Sequence, residues 1–127
     1  AALPSGYTLT MCPLGHGEAM IYNSDDAQIG GLILTDLTAK DLTDSESFPL
    51  MHYLNKTLWN CQWFTWVGDQ DGHPTLRVSQ STVEDGTRDV FNRVLFERNS
   101  KVYDLWFVSN MADDATQTTL TAAIVEN

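Results

Sequence analysis

Turn-forming residues interrupt this chain of 127 residues at short, regular intervals, and that spacing constrains the fold more than any other feature. Between the turns stand short runs that alternate apolar and polar side chains, such as Gly6–Cys12 and Thr75–Val83. Alternation with a period of two predicts strands that bury one face. The sequence therefore predicts a single, mainly β domain over residues 1–127, built as an antiparallel sandwich or half-open barrel.

One segment interrupts the strand pattern and predicts a helix. Leu50, Leu54 and Leu58 recur at helical spacing, and Pro49 suits a first helical turn, where its missing N–H costs nothing. We expect one helix over residues 48–58.

The C-terminal half predicts an antiparallel meander. Residues 90–98 fit both a strand and a helical period, and the two-residue turn candidate Asn99-Ser100 favours the strand. The run Thr116–Val125 is predicted as the last strand, since its threonines favour extended structure. The remaining predicted strands are Glu18–Asn23, Leu32–Thr35, Trp59–Val67 and Lys101–Asn110.

The charge is strongly acidic and unevenly distributed. The formal net charge is −10, and no Lys or Arg occurs in residues 1–39 or 102–127. Binding to nucleic acid or to an anionic membrane needs cations, so the sequence argues against both partners. A basic protein partner is favoured by opposite charge, although solubility alone would also explain an acidic surface.

Two cysteines, Cys12 and Cys61, lie far apart and form no C-x-x-C pair. They are predicted to form a disulfide, with two separate buried thiols as the alternative. The opening residues Ala1-Ala2 resemble what remains after a signal peptide is cleaved, so we expect a secreted or periplasmic protein.

Candidate catalytic and metal-binding residues form no convincing motif. His16, His52 and His73 have no second histidine at ligand spacing, and no nucleophile elbow is present. Asp69-Gln70-Asp71-Gly72 resembles the front of a calcium loop but has Val78 where the final Glu is needed. We therefore expect no metal, no cofactor and no catalytic residue, with a small secreted hydrolase as a minor alternative.

The predicted strand Trp59–Val67 carries an aromatic cluster. Strand geometry places Trp59 and Trp63 on one face, and Phe64 and Trp66 on the other. Such a strand is either central in the core, covered by a partner at one face, or a platform on which sugars stack.

Residues 3–23 (LPSGYTLTMCPLGHGEAMIYN), the cysteine pair and residues 59–72 (WNCQWFTWVGDQDG) resemble periplasmic immunity proteins of bacterial type VI secretion systems. The resemblance is closest to those that guard against a lysozyme-like, peptidoglycan-cleaving domain on a VgrG spike protein. It implies a protein without catalytic activity that blocks the cleft of its cognate toxin, and some such proteins form homodimers.

A protruding acidic loop would suit that role, because it would engage the acid/base residue of a glycosidase. The candidates are Asn23–Asp26, Asp69–His73, Glu84–Asp85 and Met111–Asp114. We favour Asp69–His73, which follows the aromatic strand and is stiffened by Pro74. The predicted partner-binding residues are Asp69, Gln70, Asp71, His73, Trp66, Tyr103, Glu84 and Asp85. The alternative function is a carbohydrate-binding module that uses an exposed tryptophan platform.

Overall fold

The computed structural model describes residues 3–11, 18–44, 46–57, 61–70, 73–84 and 86–125. For residues 11, 55–57, 61–70, 73, 80–84, 87 and 88 only the backbone is described. The strands are β1 (Thr8–Met11), β2 (Glu18–Tyr22), β3 (Gln28–Leu34), β4 (Cys61–Gln70), β5 (His73–Glu84), β6 (Thr87–Arg98) and β7 (Lys101–Val108). The helices are α1 (Ala39–Leu42), α2 (Phe48–Thr57) and α3 (Asp114–Val125).

Within these ranges all seven strands belong to one antiparallel sheet in the order β1-β2-β3-β7-β6-β5-β4. The first three strands form a meander, and α1 and α2 then lead the chain across to the far edge. The meander β4 to β7 returns to the middle, where β7 pairs with β3. The predicted mainly antiparallel β class is confirmed, and the sheet is open at β1 and β4.

The predicted helix is confirmed as α2. The strand alternative is confirmed for residues 90–98, which lie within β6. The turn after β6 explains this outcome, because Asn99 and Ser100 both adopt left-handed backbone with φ of 55° and 65°. Two successive left-handed residues fit the twist of a two-residue hairpin.

The prediction of a last strand over 116–125 was wrong, because this segment is the helix α3. Its buried residues Gln117, Leu120 and Val125 lie on one helical face. The side chain of Asp113 accepts from the backbone N–H of Thr116 at 2.8 Å and so caps the helix. The hydroxyls of Thr118 and Thr119 donate to carbonyls four residues earlier, so these two polar groups are satisfied within the helix.

Several strand boundaries also differ from the sequence prediction. β3 begins at Gln28 and includes Gly30-Gly31, which the sequence placed before the strand. β4 extends to Gln70 and β5 begins at His73, so Asp69, Gln70 and His73 lie in strands and not in the loop that the sequence predicted over Asp69–His73. These ends lengthen because backbone groups near a turn gain ladder partners when they continue the strand.

The sheet is covered on both faces. Along β6, Val94 and Phe96 point to one face and Leu95 points to the other, as the strand period requires. On the first face, called here the α3 face, α3 packs through Leu120 and Val125. That core contains Ile21, Ile29, Val94, Phe96, Leu105, Phe107, Ala112, Leu120 and Val125.

The second face, called the α2 face, is covered by α1 and α2. Its core contains Leu37, Leu42, Leu50, Leu54, Leu76, Val78, Leu95 and Val102. Leu50 and Leu54, one helical turn apart, supply the buried stripe of α2. A capping box between Thr38 and Asp41 starts α1 and fixes how the chain leaves the sheet.

The predicted disulfide stays a prediction. Cys12 lies outside the described residues, and only the backbone of Cys61 is described. Cys12 directly follows β1 in the sequence, and Cys61 begins β4.

Candidate functional site

The structure divides the predicted partner-binding residues between the two ends of the sheet. Asp69 and Gln70 end β4, where they pair with Pro74 and His73. Tyr103 lies near the same end in β7 and stacks on Phe96 with ring centroids 5.7 Å apart. We call this end the 99–100 end, after the β6–β7 turn that it carries.

Glu84 lies at the other end of β5, eleven positions after His73. At 3.3 Å per residue the two positions are roughly 36 Å apart. Trp66 lies between the ends and pairs with Leu76, while Asp71 and Asp85 lie outside the described residues. The predicted residues therefore form two groups that cannot contact one small feature of a partner together.

The β5–β6 hairpin extends beyond its neighbours. Its ten paired rows run from Thr75↔Phe96 to Glu84↔Thr87. In the described part of the chain, the β4 ladder reaches Gln80 of β5, and the β7 ladder reaches Phe91 of β6. The last four rows thus pass the ends of both flanking ladders. The last two rows, roughly 7 Å long, also pass Ser109 and Asn110, which bond to Val90 and Asp89. At the 99–100 end, by contrast, the β4–β5 and β6–β7 hairpins end in the same row.

The base of this hairpin is fixed to the end of β7. The backbone N–H of Ser109 donates to the carbonyl of Val90 at 2.8 Å, and the amide of Asn110 donates to Asp89 at 3.1 Å. The turn itself stands in open space, since a Cβ built on Gly86 meets no described atom within 4 Å. Gly86 has φ of 78°, the left-handed conformation that suits glycine in such a turn.

Acidic side chains surround the base of the hairpin. We define the acidic end as the sheet end that carries the β2–β3 turn, the β5–β6 turn and the loop from β7 to α3. Its described carboxylates belong to Asp25, Asp26, Asp89, Asp113 and Asp114. Three of the four loops that the sequence identified as candidates lie here, and only Asp69–His73 lies at the 99–100 end.

Local hydrogen bonds order these acidic connections. Asn23 Oδ1 accepts from the backbone N–H groups of Asp25 and Ala27, both at 3.0 Å, which closes the β2–β3 turn. Hydrogen bonds from Thr116 lower the pKa of Asp113 below its ordinary value. The carboxylates are therefore presented from defined turns and not from long loops.

A buried ionic network lies under α2. Arg93 of β6 binds both carboxylate oxygens of Asp104 on β7, with Nε to Oδ1 at 3.1 Å and Nη2 to Oδ2. Burial lowers the pKa of Arg93, but the charge and hydrogen bonds of Asp104 outweigh it and hold the pKa above its ordinary value. Because this pair cancels internally, 16 acids and 6 cations remain to set the charge outside it.

Tyr53 completes this network from α2. Its hydroxyl donates to Asp104 Oδ2 at 2.5 Å and accepts from Arg93 Nη2 at 3.2 Å. Burial raises the pKa of Tyr53 far above its ordinary value, and the charge of Asp104 raises it further. The three side chains satisfy one another inside the protein, so we assign them a structural role.

The described residues contain no group of three or more His, Cys, Asp or Glu side chains that could hold a metal ion. No helix within the described ranges is long and apolar enough to cross a membrane.

No protein-family model matches the chain, and no curated protein matches it.

The feature that sequence reasoning missed is the length of the β5–β6 hairpin. The signal was present, since β5 and β6 flank only two residues and each has twelve. The flanking strands β4 and β7 are shorter than β5 and β6. Where they end along the hairpin depends on the pairing register, which the sequence does not state.

Proposed function

We propose that this protein is an immunity protein that binds a secreted, muramidase-like peptidoglycan hydrolase and occludes its active-site cleft. The observation that carries the proposal is the β5–β6 hairpin, which extends from the acidic end of the sheet with Glu84 in its last paired row. A two-stranded hairpin is narrow enough to enter a groove built for a single polysaccharide strand, and its last two rows project by roughly 7 Å.

Charge supports a basic partner. The excess of ten acids persists outside the buried Arg93–Asp104 pair, and the acidic end concentrates part of it around the hairpin. An enzyme that works on an anionic cell wall benefits from a basic surface, and opposite fields accelerate encounter. The hairpin then fixes the orientation in which the two proteins meet.

The chemistry at the tip also fits a glycosidase. Such enzymes use one carboxyl group as a general acid, which is protonated and therefore a hydrogen-bond donor. Glu84 and Asp85 would accept that hydrogen bond or pair with cations that line the cleft. This occupation excludes both the substrate and the water that hydrolysis needs.

The direct test is inhibition of a captured partner. The tagged protein would be used to isolate a binding partner from the secreted and periplasmic proteins of the source cells. The partner would then be assayed on purified peptidoglycan with increasing amounts of this protein. We expect hydrolysis to stop near one equivalent of the inhibitor. A captured protein that cleaves no peptidoglycan, or one that stays active at excess inhibitor, would contradict the proposal.

The alternative is a carbohydrate-binding module. It is favoured by the position of Trp66 in β4, an edge strand that pairs on one side with β5. It predicts that soluble peptidoglycan fragments or common polysaccharides shift the tryptophan fluorescence of the protein. If these glycans leave the tryptophan fluorescence unchanged, the carbohydrate-binding alternative is excluded. That result leaves the inhibitor proposal unaffected.

A further inference from the structure

A groove of about 450 Å³, lined by both polar and apolar side chains, lies on the α3 face between α3 and the strands β5 and β6. Arg77 and Ser79 of β5 and Asn92 of β6 form its floor, and Asp114, Gln117 and Thr118 of α3 form its wall. Its volume is within the range of pockets that hold small ligands, roughly 300–1,000 Å³. It is distinct from the hairpin tip on which the proposed function rests.

The centre of the groove is a pair of fixed amides. The Asn92 amide group donates to Gln117 Oε1 and to Ser109 Oγ, both at 3.0 Å. Gln117 in turn donates to the carbonyl of Ala112 at 2.8 Å and is 8% exposed. Both N–H groups of Asn92 are therefore used, and no described residue donates to its Oδ1. A fixed, unused acceptor on a groove floor suits an amide N–H or an ammonium group of a ligand.

Two opposite charges flank these amides without neutralising each other. Arg77 is exposed in a chain with ten excess acids, yet no described residue forms an ion pair or hydrogen bond with its guanidinium. The carboxylate of Asp114 likewise has no hydrogen-bond donor or ion-pair partner among the described residues. A guanidinium binds carboxylates in a two-pronged geometry, whereas a carboxylate favours an ammonium group.

We propose that this groove binds a short zwitterionic peptide, with its carboxylate on Arg77, its ammonium group on Asp114 and its peptide bond over the Asn92–Gln117 pair. A simple anion such as phosphate would meet the repulsion of Asp114, and a neutral sugar would leave both charges unused. A ligand with both charges and an amide between them complements every polar group that the groove presents.

The experiment is a titration of the full chain, followed through its backbone amide signals by NMR. The probes are the dipeptide alanyl-alanine and its blocked form, acetyl-alanyl-alanine amide, which keeps the peptide bond but lacks both charges. With the free dipeptide we expect saturable shifts at Asn92 and Gln117 at millimolar concentration. The blocked form should cause no saturable shift at these two residues.

Matched variants test the charge assignment. Arg77→Gln should weaken the dipeptide about 10- to 100-fold, the range given by a hydrogen bond to a charged group. Lys101→Gln removes the same charge at the 99–100 end and should leave the affinity unchanged. Asp114→Asn should weaken binding, whereas Asp25→Asn should not. Signals remote from the groove report whether each variant is folded.

Three results would overturn the assignment. The first is the absence of a saturable shift at Asn92 and Gln117 with the free dipeptide. The second is equal binding of the blocked peptide. The third is unchanged affinity in folded Arg77→Gln. None of these results bears on whether the protein inhibits a hydrolase, because the hairpin and the groove use different residues.

Discussion

Tyr53 on α2 and Asp104 on β7 are joined by a hydrogen bond of 2.5 Å between the phenol oxygen and Oδ2. Asp104 is fully buried in the middle of the sheet, so this bond ties the helix to the central strands through a charged group. We expect Tyr53→Phe to lower the free energy of unfolding by about 1–3 kcal/mol, since a buried carboxylate loses a donor.

Urea denaturation measures this difference, and the chain offers a matched control. Tyr103 is also partly buried, but its hydroxyl bonds to no described residue. Tyr103→Phe should therefore change stability by about 0.5 kcal/mol or less. Equal effects of the two substitutions would show that the Tyr53 hydroxyl adds no specific stability.

The Arg93–Asp104 pair predicts non-additive mutational effects. Arg93→Met or Asp104→Asn alone should destabilise the protein by about 3–5 kcal/mol, because each leaves a buried group without its partner. The double variant Arg93→Met/Asp104→Asn should be less unstable than the sum of the two single changes. A double-mutant cycle by chemical denaturation measures the coupling, and strictly additive effects would contradict it.

Alkaline pH should weaken the contribution of Tyr53. The folded protein holds the pKa of Tyr53 above its ordinary value of 10.0, so folding favours the neutral phenol. Its contribution is complete below that value and is lost as the pH rises through the folded pKa. The stability difference between the wild-type protein and Tyr53→Phe should shrink above about pH 10. A constant difference between pH 8 and 11 would refute this linkage.

Alanine substitutions at the two adjacent glycines of β3 should destabilise the protein to different degrees. A Cβ on Gly31 would lie 2.7 Å from Trp106 Nε1, so the indole ring must move. A Cβ on Gly30 would instead meet the backbone carbonyl of Trp106, which is fixed in the ladder with β3. Gly30→Ala should therefore destabilise more than Gly31→Ala, while only Gly31→Ala should strongly alter the Trp106 environment.

Thermal unfolding gives the order of stability of these variants, and tryptophan fluorescence reports the indole. The two substitutions have the same size and lie next to each other in one strand, so each controls for the other. A larger loss of stability in Gly31→Ala would mean that the indole is held more rigidly than the backbone.

Sequence patterns identified most strands because alternation and turn residues are local signals of extended structure. The same reasoning failed for α3. Its four threonines are residues that favour strands, whereas the residues that indicate a helix lie three or more positions apart. The sequence does contain two helix signals, the capping residue Asp113 and the helical spacing of Gln117 and Leu120. Both are weaker indications than the β propensity of the threonines. The helix wins because it covers the α3 face, a tertiary reason that no local pattern expresses.

The candidate site was predicted in part. The acidic turns were found from their residues, because Asp, Asn and Gly mark turns by their local chemistry. Their division between the two ends was not, since it follows from strand lengths and register. The groove was missed for the same reason, because Arg77, Asn92 and Gln117 meet only when β5, β6 and α3 pack together.

The central claim is that the hairpin tip blocks a hydrolase cleft, and one comparison tests it most directly. Glu84→Gln/Asp85→Asn removes two charges from the tip, and Asp25→Asn/Asp26→Asn removes two from a neighbouring turn at the acidic end. The second pair is well matched, because asparagine tolerates the positive φ of 62° at position 26. The measurement is the inhibition constant of each variant against the captured peptidoglycan hydrolase.

We predict that the hairpin variant loses about 2–5 kcal/mol of binding free energy, as when one partner of a buried charged contact is removed. The turn variant should lose only a few-fold in association rate, because it changes long-range attraction and not the contact in the cleft. Inhibition by the hairpin variant that equals inhibition by the wild-type protein would contradict the account.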